Sequence, residues 1–109
     1  MTDVPLELGP EELSKLLASA SPPMLLDVRE PFEHAHVKIE GSTLVPLNDL
    51  PRRLAELDPA RPLVAYCHHG VRSRHAAVWL RAQGFPLVQS LAGGIDAWSA
   101  VVDPSLPRY

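Results

Sequence analysis

Apolar positions along this chain switch between a period of two and a helical spacing. A short strand-like alternation over Val4 to Leu8 gives way to Leu13, Leu16 and Leu17 on one helix face. That helix opens on Gly9-Pro10-Glu11-Glu12 and stops at Ser21-Pro22-Pro23. Met24-Leu25-Leu26 is a continuous apolar run, expected of a strand covered on both faces, and it ends at Asp27-Val28-Arg29. Glu30-Pro31-Phe32-Glu33 begins a short helical turn, and Gly41-Ser42 turns the chain into a strand over Thr43 to Val45. Asn48 is placed to cap a helix whose buried side carries Leu50, Leu54 and Leu57, closed by Asp58-Pro59. Leu63 to Tyr66 is a third apolar strand, and Ser73 to Gln83 a helix stopped by Gly84. Leu87-Val88 is a last strand, and Gly93-Gly94 turns into a short helix over Ile95 to Ala100. The tail, Val101 to Tyr109, holds two prolines and is expected to be extended.

This alternation implies an α/β fold, a small parallel β-sheet flanked by helices on both faces. In such sheets the working site lies at the carboxyl ends of the strands. Both Cys67 and Asp27-Val28-Arg29 fall there. The length of 109 residues fits a single domain with one core. Its twelve prolines fall between the elements and punctuate them.

Cys67 is the single cysteine, and it opens the run Cys67-His68-His69-Gly70-Val71-Arg72-Ser73 between an apolar strand and a helix. Backbone N–H groups of a tight loop, the N-terminus of the following helix and the charge of Arg72 all favour S⁻ over S–H. Cys67 is therefore the candidate nucleophile. The remaining composition narrows the field. The N-terminus Met1-Thr2-Asp3-Val4 lacks the basic and apolar regions of a signal peptide, so a cytoplasmic protein is expected. No apolar run is long enough to span a membrane, and one cysteine forms no internal disulfide. A net charge of −3, without a basic stripe, argues against nucleic acid as a partner.

Three segments together resemble the single-domain rhodaneses, a sulfurtransferase family. They are Asp27-Val28-Arg29-Glu30-Pro31-Phe32-Glu33, the Cys67 to Ser73 loop, and Gly93-Gly94-Ile95-Asp96-Ala97-Trp98. The resemblance runs from about Leu6 to Pro104 and treats residues 1–109 as one rhodanese-like domain. One departure lies at Val37-Lys38-Ile39-Glu40-Gly41-Ser42, where Lys38 stands in place of the family's usual histidine. The resemblance implies that the Cys67 thiolate takes the outer sulfur of a small anionic donor such as thiosulfate, releasing sulfite. A cyanide or thiol acceptor, or an acceptor protein, then removes the sulfur from the Cys67 persulfide. The loop residues His68, His69, Gly70, Val71, Arg72 and Ser73 are the expected substrate-binding set, with inward N–H groups stabilising the persulfide. Neither a cofactor nor a metal is called for.

Plainer readings stand beside these. His68 and His69 are adjacent in a tight loop and have no second Cys/His pair at ligand spacing, so they are read as lining the rim. Arg72 is either a structural ion pair or a donor contact. Asp27 and Arg29 are read as structural, Trp98 as a packing anchor, His75 as a surface residue, and His34 and His36 have no evident partner. Two rival functions remain. A cysteine phosphatase or arsenate reductase needs Cys-x5-Arg, whereas here the spacing is Cys67-x4-Arg72. A persulfide carrier or interaction module in a sulfur relay would use the same loop.

Overall fold

The apolar strand Leu63–Tyr66 splits between two cores because successive side chains of a strand point to opposite faces. Leu63, Ala65 and, just beyond the strand, Cys67 join one buried cluster, with Ala76, Ala77 and Leu80. Val64 and Tyr66 join the other, with Leu13, Ile95 and Trp98. The nucleophile candidate is thereby aimed at one face of the sheet and Tyr66 at the other.

The structure, a computed structural model, describes residues 4–109, so most of the expected leaderless N-terminal segment lies outside the described residues. The elements are β1 (Glu7–Leu8), α1 (Pro10–Leu17), β2 (Met24–Asp27), α2 (Pro31–His36), β3 (Thr43–Leu44), α3 (Leu50–Arg53), β4 (Leu63–Tyr66), α4 (Val71–Ala82), β5 (Val88–Leu91) and α5 (Gly94–Val101). The five strands form one parallel sheet in the order β1-β5-β4-β2-β3. Helices α3 and α4 cover one face, and α1 and α5 the other. Among the described residues no helix is long and apolar enough to cross a membrane.

Strands β2 and β4 are neighbours at the centre, with Asp27 in register with Tyr66. From β2 the chain departs towards β3 on one side, and from β4 towards β5 on the other. Diverging connections leave a crevice at the carboxyl ends of the two strands. The loop after β4 and the Asp27-Val28-Arg29 segment meet in it.

Several elements depart from the sequence expectation. Leu13 is fully buried, but Leu16 is exposed and Leu17 half-buried. Helix α1 meets chiefly α5, so its buried stripe is narrow; Leu17 lies about 40° from Leu13 around the axis and Leu16 about 60° on the other side. Asn48 caps no helix. It sits exposed inside a 3₁₀ turn over Leu47–Asp49, and α3 ends after four residues in a second 3₁₀ turn, Leu54–Glu56. The geometry follows from Leu47, whose N–H is already taken by the Val28 carbonyl. Strand β5 runs on through Gln89 and Ser90 because both its neighbours supply ladder partners. The tail is not simply extended. It turns at Asp103–Leu106 and is fastened by Ser99, whose Oγ donates to the Leu106 carbonyl at 2.6 Å.

Candidate active site

Strand β4 delivers Cys67 to the carboxyl end of the sheet, and Gly70 bends the chain into α4. Gly70 has φ +104°, a conformation that side-chain-bearing residues avoid, and helix α4 starts at Val71, two residues earlier than the sequence suggests. A Cβ on Gly70 would also press on the backbone nitrogen of Gly93 at 3.1 Å. The sharp turn points two backbone donors at Sγ of Cys67: Gly70 N–H at 3.1 Å and Ser73 N–H at 3.3 Å. His68, His69, Val71 and Arg72 lie on the same loop, but their N–H groups make no hydrogen bond to Sγ. Cys67 itself is 1% exposed.

A buried hydroxyl pair lies beside the sulfur. The Cys67 thiol is 3.5 Å from Ser73 Oγ, which shares a 2.7 Å hydrogen bond with Ser90 Oγ. Once the sulfur is S⁻, it only accepts, so Ser73 donates to it and Ser90 donates to Ser73. Ser90 was missed by sequence reading; its signal was a small polar residue on the α4 side of an otherwise buried strand.

Helix α5 holds the loop from the other side. Ile95 N–H donates to the Cys67 carbonyl at 2.9 Å and Asp96 N–H to the His68 carbonyl at 3.1 Å. These are first-turn N–H groups, which have no partner inside their own helix. With its carbonyls engaged there, the loop is free to turn its own N–H groups towards the sulfur.

Arg72 makes a two-pronged ion pair with Glu33, at 2.6 and 2.9 Å. Glu33 is placed by α2, where Glu30 and Glu33 close a capping box. The Arg72 hydrogen bonds hold the Glu33 carboxyl down at about 2 against the opposing effect of burial, and the same pair raises the affinity of Arg72 for its proton. Of the two readings of Arg72, the ion pair is therefore present. Its remaining N–H donors have no protein acceptor among the described residues.

Behind Glu33 lies a buried polar cluster. Arg29, fully buried, pairs with Asp27 through Nε and Nη2 at 2.9 and 2.8 Å, and Nη2 also donates to the Val37 carbonyl at 2.6 Å. Burial would raise the Asp27 pKa, but hydrogen bonds from Arg29 and His34 outweigh it and hold it below the ordinary value. Tyr66 Oη donates to Asp27 at 3.2 Å and accepts from Ile39 N–H at 3.2 Å; burial pushes its pKa up to about 12. Lys38 is exposed between buried Val37 and Ile39, so its replacement of a histidine leaves these backbone contacts in place. His34 thus has a partner that the sequence did not reveal, Asp27 at 2.8 Å. His75 is exposed on α4, and Trp98 is 7% exposed within the α1–α5 core.

His68 and His69 stack with ring centroids 3.9 Å apart, and Tyr109 stacks on His68 at 3.8 Å. Among the described residues, ligand atoms of His68, His69 and Asp96 lie within 4.8 Å of one another. Cys67 is not part of that group. Arg108 already holds the Asp96 carboxylate at 2.9 and 3.0 Å, and stacked imidazoles set their lone pairs side by side rather than convergent.

Over residues 9–101 the chain matches the Rhodanese-like domain. The protein belongs to the rhodanese family. A sulfurtransferase of Allochromatium vinosum is 38% identical over 93 residues, 85% of this chain and 87% of that protein. The thiosulfate sulfurtransferase GlpE of Pseudomonas aeruginosa is 33% identical over 101 residues, 93% of this chain and 90% of that protein. Other relatives are larger: at 38% identity the chain spans only 26% of the probable adenylyltransferase/sulfurtransferase MoeZ of Mycobacterium tuberculosis. The human single-domain sulfurtransferase TSTD1 superposes with a TM-score of 0.79 at 27% identity, covering 90% of this chain and 98% of that one. Within this rhodanese fold the three sequence signatures converge on one place. The cysteine loop, the Glu33 end of the Asp27 segment and the Gly93-Gly94 turn are in direct contact.

Proposed function

We propose that this rhodanese-like protein is a sulfurtransferase working through a Cys67 persulfide. The Cys67 thiolate attacks the outer sulfur of thiosulfate; the new S–S bond forms as the old one breaks, and sulfite leaves with the electron pair. Cyanide or a thiolate then attacks the outer sulfur, and Cys67 leaves as thiolate. No external redox agent is needed. The observation that carries this reading is the size of the cradle, in which Gly70 and Ser73 N–H groups already sit at 3.1 and 3.3 Å from Sγ. The N–H groups of His68, His69, Val71 and Arg72 are left for the outer sulfur, whose negative charge they would stabilise.

The loop suits sulfur better than phosphate. Arg72 falls one position short of closing a Cys-x5-Arg ring, and its guanidinium is engaged by Glu33 rather than turned onto Sγ. Mass spectrometry after thiosulfate treatment tests the reading: the intact chain gains one sulfur atom, and the Cys67→Ser variant gains none. Turnover of p-nitrophenyl phosphate in place of sulfur uptake would overturn it.

A protein acceptor is the second reading, favoured by two exposed apolar side chains. Phe32 and Val71, 73% and 66% exposed, directly precede the paired residues Glu33 and Arg72. Apolar groups beside a catalytic mouth suit a partner's surface better than they suit a small anion. Sulfur uptake from a desulfurase that exceeds turnover with thiosulfate and cyanide would select the carrier role.

A further inference from the structure

Tyr109 lies 76 residues from Glu33 in sequence, outside all three signatures, yet it touches Glu33, Arg29, His36 and His68. Its hydroxyl donates to Glu33 Oε2 at 2.7 Å and accepts from Arg29 Nη1 at 2.7 Å. Glu33 Oε2 is the same oxygen that receives Arg72 Nη2. The ring lies flat on His68, 3° from parallel, and meets His36 edge-on at 5.6 Å. The tail carrying it is fastened twice more, by Ser99 to the Leu106 carbonyl and by Arg108 to Asp96.

We propose that Tyr109 is a positioning residue of the sulfur-transfer site, setting the Glu33–Arg72 pair with its hydroxyl and clamping His68 with its ring. The proposal rests on the sulfur-transfer reading above. Two physical consequences follow. First, Glu33 is pinned by the Tyr109 hydroxyl, which Arg29 holds in turn, and Glu33 fixes Arg72 beside the cysteine loop. Without the hydroxyl, Glu33 keeps only the capping-box bond from Glu30 N–H besides Arg72, and a negatively charged donor meets a less focused charge. Second, the Tyr109 ring shields His68 from water. His68 Nε2 has no hydrogen-bond partner and almost no exposed area. Burial first, and then His69, lower the His68 pKa; they outweigh a backbone interaction with Tyr109, which alanine at 109 would keep, and the charges of Asp96 and Glu33. Among the described residues those groups, with stacked His69 and with Arg108 on Asp96, are the titratable and charged surroundings of the imidazole. The site thus meets its anion with the Arg72 charge, while burial disfavours a second charge on His68.

Two variants separate the hydroxyl from the ring. Each is read by the ratio of Cys67 alkylation rates with anionic iodoacetate and neutral iodoacetamide, and by the NMR titration midpoint of His68. Tyr109→Phe should lower the ratio about three- to tenfold and raise the thiosulfate KM by a similar factor with kcat little changed, while the His68 midpoint stays at its wild-type value. Tyr109→Ala should also move the midpoint upward towards about 6.5. A ratio within twofold of wild type in both variants, or a His68 midpoint unmoved in Tyr109→Ala, overturns the proposal. If Tyr109→Ala fails to fold, the ratio in Tyr109→Phe decides alone. A wild-type protein that takes no sulfur from thiosulfate would sink the sulfur-transfer reading only, because the alkylation ratio and the midpoint need no sulfur donor.

Discussion

Ile95 donates its backbone N–H to the carbonyl oxygen of Cys67 over 2.9 Å, so the residue after the Gly93-Gly94 turn fixes the peptide that carries the proposed nucleophile. The approach is possible only because Gly94 has no side chain. A Cβ there would meet the Cys67 carbonyl oxygen at 2.5 Å and the His68 carbonyl group as well, and Gly94 has φ +62°. The two glycines and the cysteine loop are one structural unit, although 26 residues of chain lie between Cys67 and Gly94.

Gly94→Ala should therefore push the loop off its cradle geometry and reduce sulfur uptake by about 100-fold or more, the size of effect a 1 Å misplacement brings. Gly84→Ala is the control. Gly84 also has positive φ, +97°, but its Cβ would meet nothing within 4 Å. It should cost about 1–2 kcal/mol of stability from the backbone conformation alone, with uptake per folded molecule unchanged. Equal losses of activity in the two variants would show that backbone strain, not loop contact, is responsible.

What the sequence disclosed follows the range of the forces involved. Strand β4 was legible because Leu63 to Tyr66 are all apolar, and the cysteine loop because its residues are contiguous. The Glu33–Arg72 pair joins residues 39 positions apart, and Tyr109 reaches Glu33 across 76, so no local pattern marks either contact. Strand β5 was read short because Gln89 and Ser90 are polar, and the ladder to β1 and β4 overrides that preference. Asn48 failed as a cap for the same kind of reason: a long-range bond from Leu47 to Val28 set the local backbone first.

Cys67→Ser should abolish thiosulfate-dependent sulfur uptake while leaving the fold intact, because serine fits the same buried space and still accepts from Gly70 N–H. A serine hydroxyl without a general base is a poor nucleophile. Mass spectrometry reads the uptake and a thermal melt reads the fold. Retained turnover would remove Cys67 from the mechanism.

Ser73→Ala removes the hydroxyl that faces the sulfur from inside the core. It should slow sulfur uptake about tenfold, the rate equivalent of losing about 1.4 kcal/mol of hydrogen bonding to an anion. Ser90→Ala should have a smaller effect, since Ser73 can still donate to the sulfur. If Ser90→Ala proves the more harmful, the two hydroxyls act through packing rather than through the sulfur.

Inserting one residue between Val71 and Arg72 would restore Cys-x5-Arg spacing and widen the cradle. The first turn of α4 carries both the Ser73 N–H on Sγ and the Arg72 link to Glu33, so an added residue disturbs them together. Sulfur transfer should be lost, and binding of phosphate or arsenate, followed by calorimetry, should appear or rise. Full sulfurtransferase activity in the insertion variant would mean that ring size does not set the chemistry.

The Glu33–Arg72 pair should also leave a mark on acid stability. Hydrogen bonds from Arg72 first, then from the capping box and Tyr109, hold the folded Glu33 pKa at about 2, against an ordinary 4.5. A carboxyl whose pKa is depressed by folding binds fewer protons when folded than when unfolded. Its contribution is therefore complete above about pH 4.5 and disappears as the pH falls towards 2. Asp27 is shifted in the same direction, so acid sensitivity of the wild type alone does not identify Glu33. The difference between wild type and Glu33→Gln does, because Asp27 is common to both. Urea midpoints at pH 6, 4 and 3 should show the wild type ahead at pH 6, with the gap narrowing at each step down. A gap that stays constant over this range would mean that the glutamine loses shape or packing rather than charge, and that the ion pair adds nothing to the stability of the loop.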